Sequence, residues 1–329
     1  MSLPLVITLV VAALFAALAA YTAFQARKIA RLYPASGHLI DVDGRQVHVV
    51  DMPATAERAI GGGTELPAVV FIHGASGNLH EPMVALSAAF GGRYRLTFFD
   101  RPGHGWSERL GRDDASPVVQ ADILAGLLAA RGIERAVVVG HSWGGSVAAA
   151  FGVHHPEKTA GLVFLAAATH PWDGGIHWYY RLASRPLVGR LFTHTLTMPV
   201  GLSIFGSSIR SVFAPEVPPD DYGGRTRVPL VLRPGNFRAN AEDVADLLDY
   251  VRELSGRYGD IAAPTEILTG DADGVVYAHI HSTGLQRDIP GARLTVLEGA
   301  GHMPHHTRSD DIVAAVDRVV DRYLLGEGR

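Results

Sequence analysis

The stretch Val137-Val138-Val139-Gly140-His141-Ser142-Trp143-Gly144-Gly145 decides the fold. Its apolar start predicts a buried strand, its middle is a Gly-x-Ser-x-Gly motif, and the residues that follow, 143–154, predict a helix. A serine between strand and helix lies on a sharp turn, so the residues two positions away on either side must be small, as Gly140 and Gly144 are. The helix N-terminus would offer backbone N–H groups to a developing oxyanion. The stretch therefore predicts that Ser142 is a nucleophile.

A hydroxyl nucleophile needs a base, and the chain has 16 histidines. His302 is the candidate, because it follows the last predicted strand in the Gly-rich loop Gly299-Ala300-Gly301-His302-Met303-Pro304. His305 and His306 are close rivals. Three histidines this close could suggest a metal, but we expect none, because the sequence shows neither a partnering carboxylate cluster nor a His-Glu-x-x-His pattern.

The base needs a carboxylate that fixes its tautomer. Asp271 and Asp273 both follow the penultimate predicted strand, in Thr269-Gly270-Asp271-Ala272-Asp273-Gly274. The chain order Ser…Asp…His is the one expected of a fold that carries its nucleophile in a Gly-x-Ser-x-Gly turn. The spacing alone does not choose between the two aspartates.

The oxyanion hole needs a second N–H group, from the loop after an earlier strand. Phe71-Ile72-His73-Gly74-Ala75-Ser76-Gly77 supplies that loop, and the N–H of Ala75 is expected to act with that of Trp143. His73 is expected to hold the loop rather than transfer protons. The turn at 100–107, Asp100-Arg101-Pro102-Gly103-His104-Gly105-Trp106-Ser107, is interpreted as structural.

Short apolar runs alternate with helical patterns along most of the chain. Their continuous apolarity is typical of parallel strands buried on both faces. Strands are predicted at 68–72, 95–99, 136–139, 162–165, 266–269 and 294–297. A hairpin (38–42 and 46–51, joined by Asp43-Gly44) comes first, Gly61-Gly62-Gly63 is a predicted loop, and helices are predicted at 118–130, 143–154 and 311–325. The alternation predicts a mostly parallel, doubly wound α/β sheet.

The alternation stops between about 167 and 260, where many large aromatic residues occur among Pro and Gly. We interpret this segment as a mainly helical cap inserted over the carboxyl edge of the sheet, ending in a helix over 240–258. The predicted domains are an anchor at 1–31, a core at 32–166 and 261–329, and the cap at 167–260. Candidate substrate contacts are His73 and Gly74 in the core and Trp178 and Tyr179 in the cap.

Residues 2–26 contain no charge, and 20 of these 25 are hydrophobic. About 20 apolar helical residues cross a bilayer, so a transmembrane helix is predicted. Arg27, Lys28 and Arg31 follow, and the positive-inside rule then predicts a cytoplasmic catalytic domain. The alternative is a cleaved signal peptide, with Ala17-Leu18-Ala19 as the cleavage-like triplet and a secreted or periplasmic enzyme.

Composition excludes several kinds of chemistry. The 329 residues include no cysteine, which rules out thiol catalysis, disulfides and Cys-ligated metals. The net charge of −4 does not suggest a nucleic-acid partner. The positive mean hydropathy of +0.14 comes from the N-terminal segment. The expected partners are a small apolar acyl substrate and a membrane, no cofactor is expected, and the sequence does not determine the oligomeric state.

From about residue 38 onward the chain resembles the α/β-hydrolase superfamily, in its capped serine-hydrolase (esterase- or lipase-like) branch. The resemblance rests on five motifs in order: His73-Gly74, the 100–107 turn, the Gly140–Gly144 elbow, Gly270-x-x-Asp273 and Gly301-His302. It implies that Asp273 is the acid, and that a Ser142-His302-Asp273 triad cleaves a hydrophobic carboxylic ester through an acyl-enzyme. Epoxide hydrolases and haloalkane dehalogenases of this fold carry Asp at the elbow, so Ser142 argues against both.

Other reactions share this fold. The alternatives are a C–C bond hydrolase of ring-cleavage products, an aminopeptidase and a perhydrolase. A non-catalytic ligand-binding homologue is a further alternative outside enzymes.

Overall fold

The computed structural model describes residues 1–55 and 66–326, so the predicted loop at 61–63 lies outside the described residues. Its centre is an eight-stranded sheet. The strands are β1 (His38–Val42), β2 (Arg45–Met52), β3 (Ala68–Ile72), β4 (Leu96–Phe99), β5 (Ala136–His141), β6 (Thr159–Leu165), β7 (Thr265–Gly270) and β8 (Arg293–Leu297). All six predicted core strands and the hairpin are present, with ends that differ by at most three residues.

The sheet has the order β1-β2-β4-β3-β5-β6-β7-β8. The hairpin strands β1 and β2 pair antiparallel, β2 pairs antiparallel with β4, and β4, β3, β5, β6, β7 and β8 run parallel. The prediction of a mostly parallel sheet is therefore confirmed. Because parallel strands end at the same edge, the loops after β3, β5, β7 and β8 meet there, and they carry the predicted site residues.

Every residue of β3 and β5 is buried, which explains their uninterrupted apolar sequences. Successive residues face opposite layers: Val70 and Val138 belong to one hydrophobic cluster, Val69 and Val137 to the other. The helices around the sheet are α2 (His80–Leu86), α3 (Pro117–Ala130), α4 (Trp143–His154), α10 (His281–Asp288), α11 (Pro304–Thr307) and α12 (Ser309–Leu324). Helices α3, α4 and α10 pack on the first cluster, α2 and α12 on the second.

The segment between β6 and β7 is helical, as predicted for an inserted cap. It contains α5 (Trp178–Ala183), α6 (Pro186–Thr195), α7 (Thr197–Phe213), α8 (Tyr222–Arg225) and α9 (Pro234–Leu254). The helix predicted at 240–258 is α9, which begins six residues earlier because Pro234 suits the first helical turn. It ends at Leu254, followed by a 3-10 turn over Ser255–Asp260.

Helix α1 (Leu3–Leu32) has 30 residues and is long and apolar enough to cross a membrane, a test that signal sequences also pass. Its side chains up to Leu14 are exposed. From Phe15 onward one side of the helix loses exposure, where α1 packs against α6 and α7. The anchor candidate is therefore in contact with the cap.

Candidate active site

Ser142 stands between the last residue of β5 and the first of α4, with φ 51° and ψ −120°. A positive φ is strained for a residue with a Cβ, and such strain is typical of functional sites. The two flanking glycines are required by space: a Cβ on Gly140 would lie 2.6 Å from the Gly144 carbonyl oxygen, and one on Gly144 would lie 2.5 Å from the Ile72 oxygen. The strand–turn–helix elbow has the predicted geometry.

The structure brings Ser142, His302 and Asp273 into one hydrogen-bonded line. His302 Nε2 lies 3.0 Å from Ser142 Oγ, and His302 Nδ1 lies 2.8 Å from Asp273 Oδ2. A carboxylate accepts only, so Nδ1 carries the hydrogen and Nε2 accepts from the serine hydroxyl. Asp273 Oδ1 accepts from the N–H groups of Val275 and Val276. All three side chains are buried, which strengthens these contacts.

The other candidate carboxylate, Asp271, does not reach His302. It is exposed, and its Oδ1 accepts from the N–H of Gly299, 2.7 Å away. Asp271 therefore ties the loop after β7 to the loop after β8, while Asp273 contacts the histidine. The geometry therefore distinguishes Asp273 from Asp271, a choice that the sequence spacing alone did not decide.

The loop after β3 lies directly against the elbow. A Cβ on Gly74 would be 3.0 Å from both Ser142 Cβ and His141 Nδ1, so a larger residue would push these side chains away. Ala75 is the next residue, and Trp143 follows Ser142. The backbone N–H groups expected to form the oxyanion hole thus belong to residues adjoining this contact.

A cap residue that sequence reasoning missed clamps this loop. Asn240 Oδ1 accepts from the Ser76 N–H at 2.6 Å, and its Nδ2 donates to Ser76 Oγ at 3.1 Å. Ser76 has φ 60°, so the two hydrogen bonds hold a strained residue. No local pattern around position 240 signals this contact, because its partner is 164 positions away.

A second link joins α9 to the elbow through a buried arginine. Arg101 Nη1 donates to Asp243 Oδ2 at 2.5 Å, and its guanidinium lies 4.1 Å from the centre of the Trp143 ring. Trp143 Nε1 donates to the Asp243 carbonyl oxygen at 3.0 Å. Removing Asp243 would leave the buried charge of Arg101 without its carboxylate partner, so the link ties the cap firmly to the first turn of α4.

His73 holds the loop, as predicted for its structural role. Its Nδ1 donates to the Gly74 carbonyl oxygen, and its Nε2 accepts from the Arg101 N–H. Burial keeps the pKa of His73 well below its ordinary value, so the ring is neutral. The ring is completely buried, so the candidate role of the His73 side chain as a substrate contact is not supported.

Trp178 and Tyr179 lie on α5, in an aromatic layer of the cap. The ring of Tyr179 stacks on His177 with an interplanar angle of 7° and also contacts Tyr180 and Phe237. Trp178 is 68% exposed. The ring contacts of these two candidate substrate residues are with the cap rather than with the triad.

The 100–107 turn is structural, as interpreted from the sequence. Asp100 is buried, and its carboxylate accepts from His48 Nδ1 and from the N–H groups of Leu79 and Trp106. Burial opposes its charge, but the hydrogen bond from His48 holds the pKa of Asp100 below its usual value. Gly105 is needed because a Cβ there would lie 2.0 Å from Asp100 Oδ2.

The expectation that His305 and His306 lack a carboxylate partner is wrong. Glu81 of α2, 224 positions before His305, is buried beside both, and its Oε1 accepts from His305 Nε2 and, at 2.7 Å, from His306 Nε2. Although burial opposes it, His305 and His306 hold the pKa of Glu81 well below its ordinary value. The three ligand atoms lie within 4.8 Å of one another, a set that could hold a metal. The contacts of both histidines with Glu81 have hydrogen-bond lengths, so one carboxylate oxygen accepts from both rings.

His141, beside the Glu81–His305–His306 cluster, supports the loop that carries His302. His141 Nε2 donates to the His302 carbonyl oxygen at 2.9 Å, and the His141 ring lies 4.4 Å from that of His305. Burial holds the pKa of His141 well below its ordinary value, so its ring is neutral. The residue before the nucleophile therefore fixes the backbone of the base.

Comparison with known proteins agrees with this fold. A family model described as alpha/beta hydrolase fold matches residues 67–309. The chain therefore belongs to the α/β-hydrolase family, whose members are typically hydrolytic enzymes.

Three similar proteins illustrate the range of the family. An uncharacterized protein of Mycobacterium tuberculosis is 29% identical over 266 residues, which cover 78% of this chain and 75% of that protein. A 2-hydroxy-6-oxo-6-phenylhexa-2,4-dienoate hydrolase of Burkholderia cepacia is 27% identical, covering 66% of this chain and 73% of the hydrolase. A crystal structure of a bacterial membrane phospholipase A superposes with a TM-score of 0.67 at 22% identity, over 98% of both chains.

Proposed function

We propose that this protein is a membrane-anchored serine hydrolase that cleaves carboxylic esters with hydrophobic acyl chains. The observation that carries the proposal is the line Ser142 Oγ–His302 Nε2 and His302 Nδ1–Asp273 Oδ2, at 3.0 and 2.8 Å, built on a strained elbow. Such a line supplies a nucleophile, its base and the group that orients the base.

The reaction proceeds in two halves. Ser142 Oγ attacks the ester carbonyl while His302 Nε2 takes the hydroxyl proton, and the resulting oxyanion accepts hydrogen bonds from the N–H groups of Ala75 and Trp143. His302 then gives the proton to the departing alcohol oxygen, which leaves an acyl group on Ser142. In the second half His302 deprotonates water, which attacks the acyl carbonyl. The proton returns to Ser142 Oγ as the carboxylic acid leaves.

The surroundings support an apolar substrate. The α1 segment up to Ala26 is uncharged, and its length and apolarity support anchoring of the enzyme at a lipid surface. The structural similarity to a membrane phospholipase A extends over the N-terminal helix, and this supports lipid-derived esters as the substrate class.

Activity-based labelling tests the proposal. Full-length protein in detergent is treated with a fluorophosphonate probe and assayed with p-nitrophenyl esters of increasing chain length. We expect labelling of the wild type and of the control Ser203→Ala, an exposed cap serine, and no labelling of Ser142→Ala. An unlabelled wild type, or a Ser142→Ala variant that is still labelled, would overturn the mechanism.

A second candidate is C–C bond hydrolysis of a dienoate, favoured by the curated relatives that are named as such hydrolases at 27% and 28% identity. The same triad would serve this reaction. The assay is repeated with 2-hydroxy-6-oxo-6-phenylhexa-2,4-dienoate, whose loss of visible absorbance reports cleavage. A higher kcat/KM for the dienoate than for every ester would replace the ester proposal with this one.

A further inference from the structure

The part of the cap that contacts α1 has an unusual charge distribution. Residues 1–40 and 174–213, which include α1, α5, α6 and α7, carry seven Lys or Arg and no Asp or Glu. The whole chain, by contrast, has 29 basic and 33 acidic residues. All seven cations are exposed: Arg27, Lys28, Arg31, Arg181, Arg185, Arg190 and Arg210. The helices α1, α5, α6 and α7 therefore carry only basic charges although the protein as a whole is acidic.

The same region exposes large apolar side chains. On α6, Leu187 is 84% exposed, and Val188 and Leu191 stand beside it. Exposed apolar residues also recur every four positions from Leu196, just before α7, to Val200 and Ile204 within it. No charged residue occurs in 197–209, and only Thr197, Met198 and Phe213 of the 17 residues of α7 are buried. Each helix thus presents to solvent a stripe that would ordinarily be covered.

Helix α1 lies beside these apolar stripes. The residues of α1 that lose exposure lie on one side of the helix, at Phe15, Leu18, Ala19, Thr22, Gln25, Ala26, Ile29 and Ala30. Thr22 Oγ1 donates to the Thr195 carbonyl oxygen at the end of α6, and Ile29 packs with Met198 of α7. At 1.5 Å per residue, Thr22 lies about 6 Å and Phe15 about 16 Å before Ala26, the end of the uncharged segment. Cap helices that touch this part of α1 lie beside the segment that would enter the bilayer.

We infer that the outer face of α6 and α7 is a second membrane-contact surface, which docks beside α1 into a bilayer containing anionic lipid. The apolar stripes enter the boundary between headgroups and acyl chains, and the surrounding arginines meet the lipid phosphates. Helices α6 and α7 are bent by 65° at Leu196, so they lie across the surface rather than form a straight span. This inference rests on the anchor in the proposed function. It adds that the cap itself contacts lipid.

The absence of cysteine makes a direct test possible. Single-cysteine variants of the full chain are labelled with an environment-sensitive fluorophore and reconstituted into phosphatidylcholine–phosphatidylglycerol vesicles. The cap positions are Leu187→Cys, Val188→Cys, Val200→Cys and Ile204→Cys. The controls are Val296→Cys and Leu325→Cys, which are exposed apolar positions on β8 and after α12, and Leu9→Cys reports the anchor.

We expect quenching by doxyl-labelled lipid at the cap positions and at Leu9→Cys, and quenching by aqueous iodide at the two controls. Arg185→Gln and Arg190→Gln should each weaken docking of the cap about fivefold on vesicles with phosphatidylglycerol, and have less effect on pure phosphatidylcholine.

Three results would overturn the inference. Cap probes that behave like Val296→Cys, while Leu9→Cys is quenched by lipid, would show an anchor without cap contact. Cap probes protected from both quenchers, with self-quenching between labels, would show that a second copy of the chain covers the stripes. Quenching of the Leu9→Cys probe by iodide would show that α1 does not insert into the bilayer. Fluorophosphonate labelling of Ser142 would still test the hydrolase separately.

Discussion

At the scale of single residues, the two aspartates after β7 have different tasks although they are two positions apart. Asp273 contacts the base, whereas Asp271 contacts only the loop backbone at Gly299. Asp273→Asn should lower kcat/KM roughly 10⁴-fold, because an amide does not fix the His302 tautomer that accepts the serine proton. Asp271→Asn is the matched control and should stay within about tenfold of wild type, since its amide oxygen can still accept from Gly299. Equal losses in the two variants, measured with one p-nitrophenyl ester, would contradict the assignment.

A buried histidine makes stability depend on pH. His281 Nδ1 accepts from the N–H groups of Thr169 and His170, and burial lowers the pKa of His281 to about 4. The unfolded chain binds this proton near pH 6.5 and the folded chain does not, so stability is lost as pH falls from about 6.5 to 4. At pH 5 this loss is about 2 kcal/mol.

His281→Asn should remove most of that dependence, because its side-chain oxygen can accept the same two hydrogen bonds without titrating in this range. Denaturant unfolding at pH 7.5 and at pH 5 measures the effect. The stability lost between the two pH values should be about 2 kcal/mol smaller in the variant. An equal loss in both proteins would assign the acid sensitivity to other groups.

At the scale of elements, the elbow depends on close contact between the start of α4 and the end of β3. A Cβ on Gly144 would meet the carbonyl oxygens of Ile72 and His73 at 2.5 and 2.7 Å, and backbone cannot move aside as a side chain can. Gly144→Ala should cost about 1–3 kcal/mol of stability and abolish fluorophosphonate labelling. Gly235→Ala, in the first turn of α9 with no atom within 4 Å of the new Cβ, should be neutral or slightly stabilising. Thermal unfolding and labelling of the two variants side by side provide the test.

Elements with an unbroken local pattern could be predicted from the sequence. The strands β3 and β5 are buried on both faces, so apolar residues continue along their full length, and the glycines around Ser142 follow from the turn itself. Helices α6 and α7 were not predicted individually. Glycines and prolines interrupt their sequences, with Gly189 in α6 and Pro199, Gly201 and Gly206 in α7.

The residues that support the site from distant parts of the chain could not be predicted from local sequence patterns. Glu81 of α2 contacts His305 and His306, which follow it by 224 and 225 positions. Asn240 of α9 contacts Ser76, which precedes it by 164 positions. Contacts of this kind depend on how layers pack, and a glutamate on one helix or an asparagine on another carries no local sign of its partner. Ser142 and His302 were predictable because each lies in a motif with its own backbone requirement.

At the scale of the whole molecule, the basic residues after the apolar part of α1 set an expected orientation. Arg27, Lys28 and Arg31 follow the uncharged segment directly, so the positive-inside rule predicts a cytoplasmic position for them and for the hydrolase domain behind them.

Accessibility of single cysteines in intact cells tests this orientation, since the natural chain contributes no thiol. Ser2→Cys should react with a membrane-impermeant maleimide in intact cells, and Leu325→Cys, which is 82% exposed, should react only after lysis. Labelling of Leu325→Cys in intact cells would place the enzyme outside. If the mature protein had also lost residue 2, cleavage as a signal peptide would be established. Retention of Ser2→Cys in the labelled full-length band, with Leu325→Cys protected, therefore establishes both the anchor and its direction.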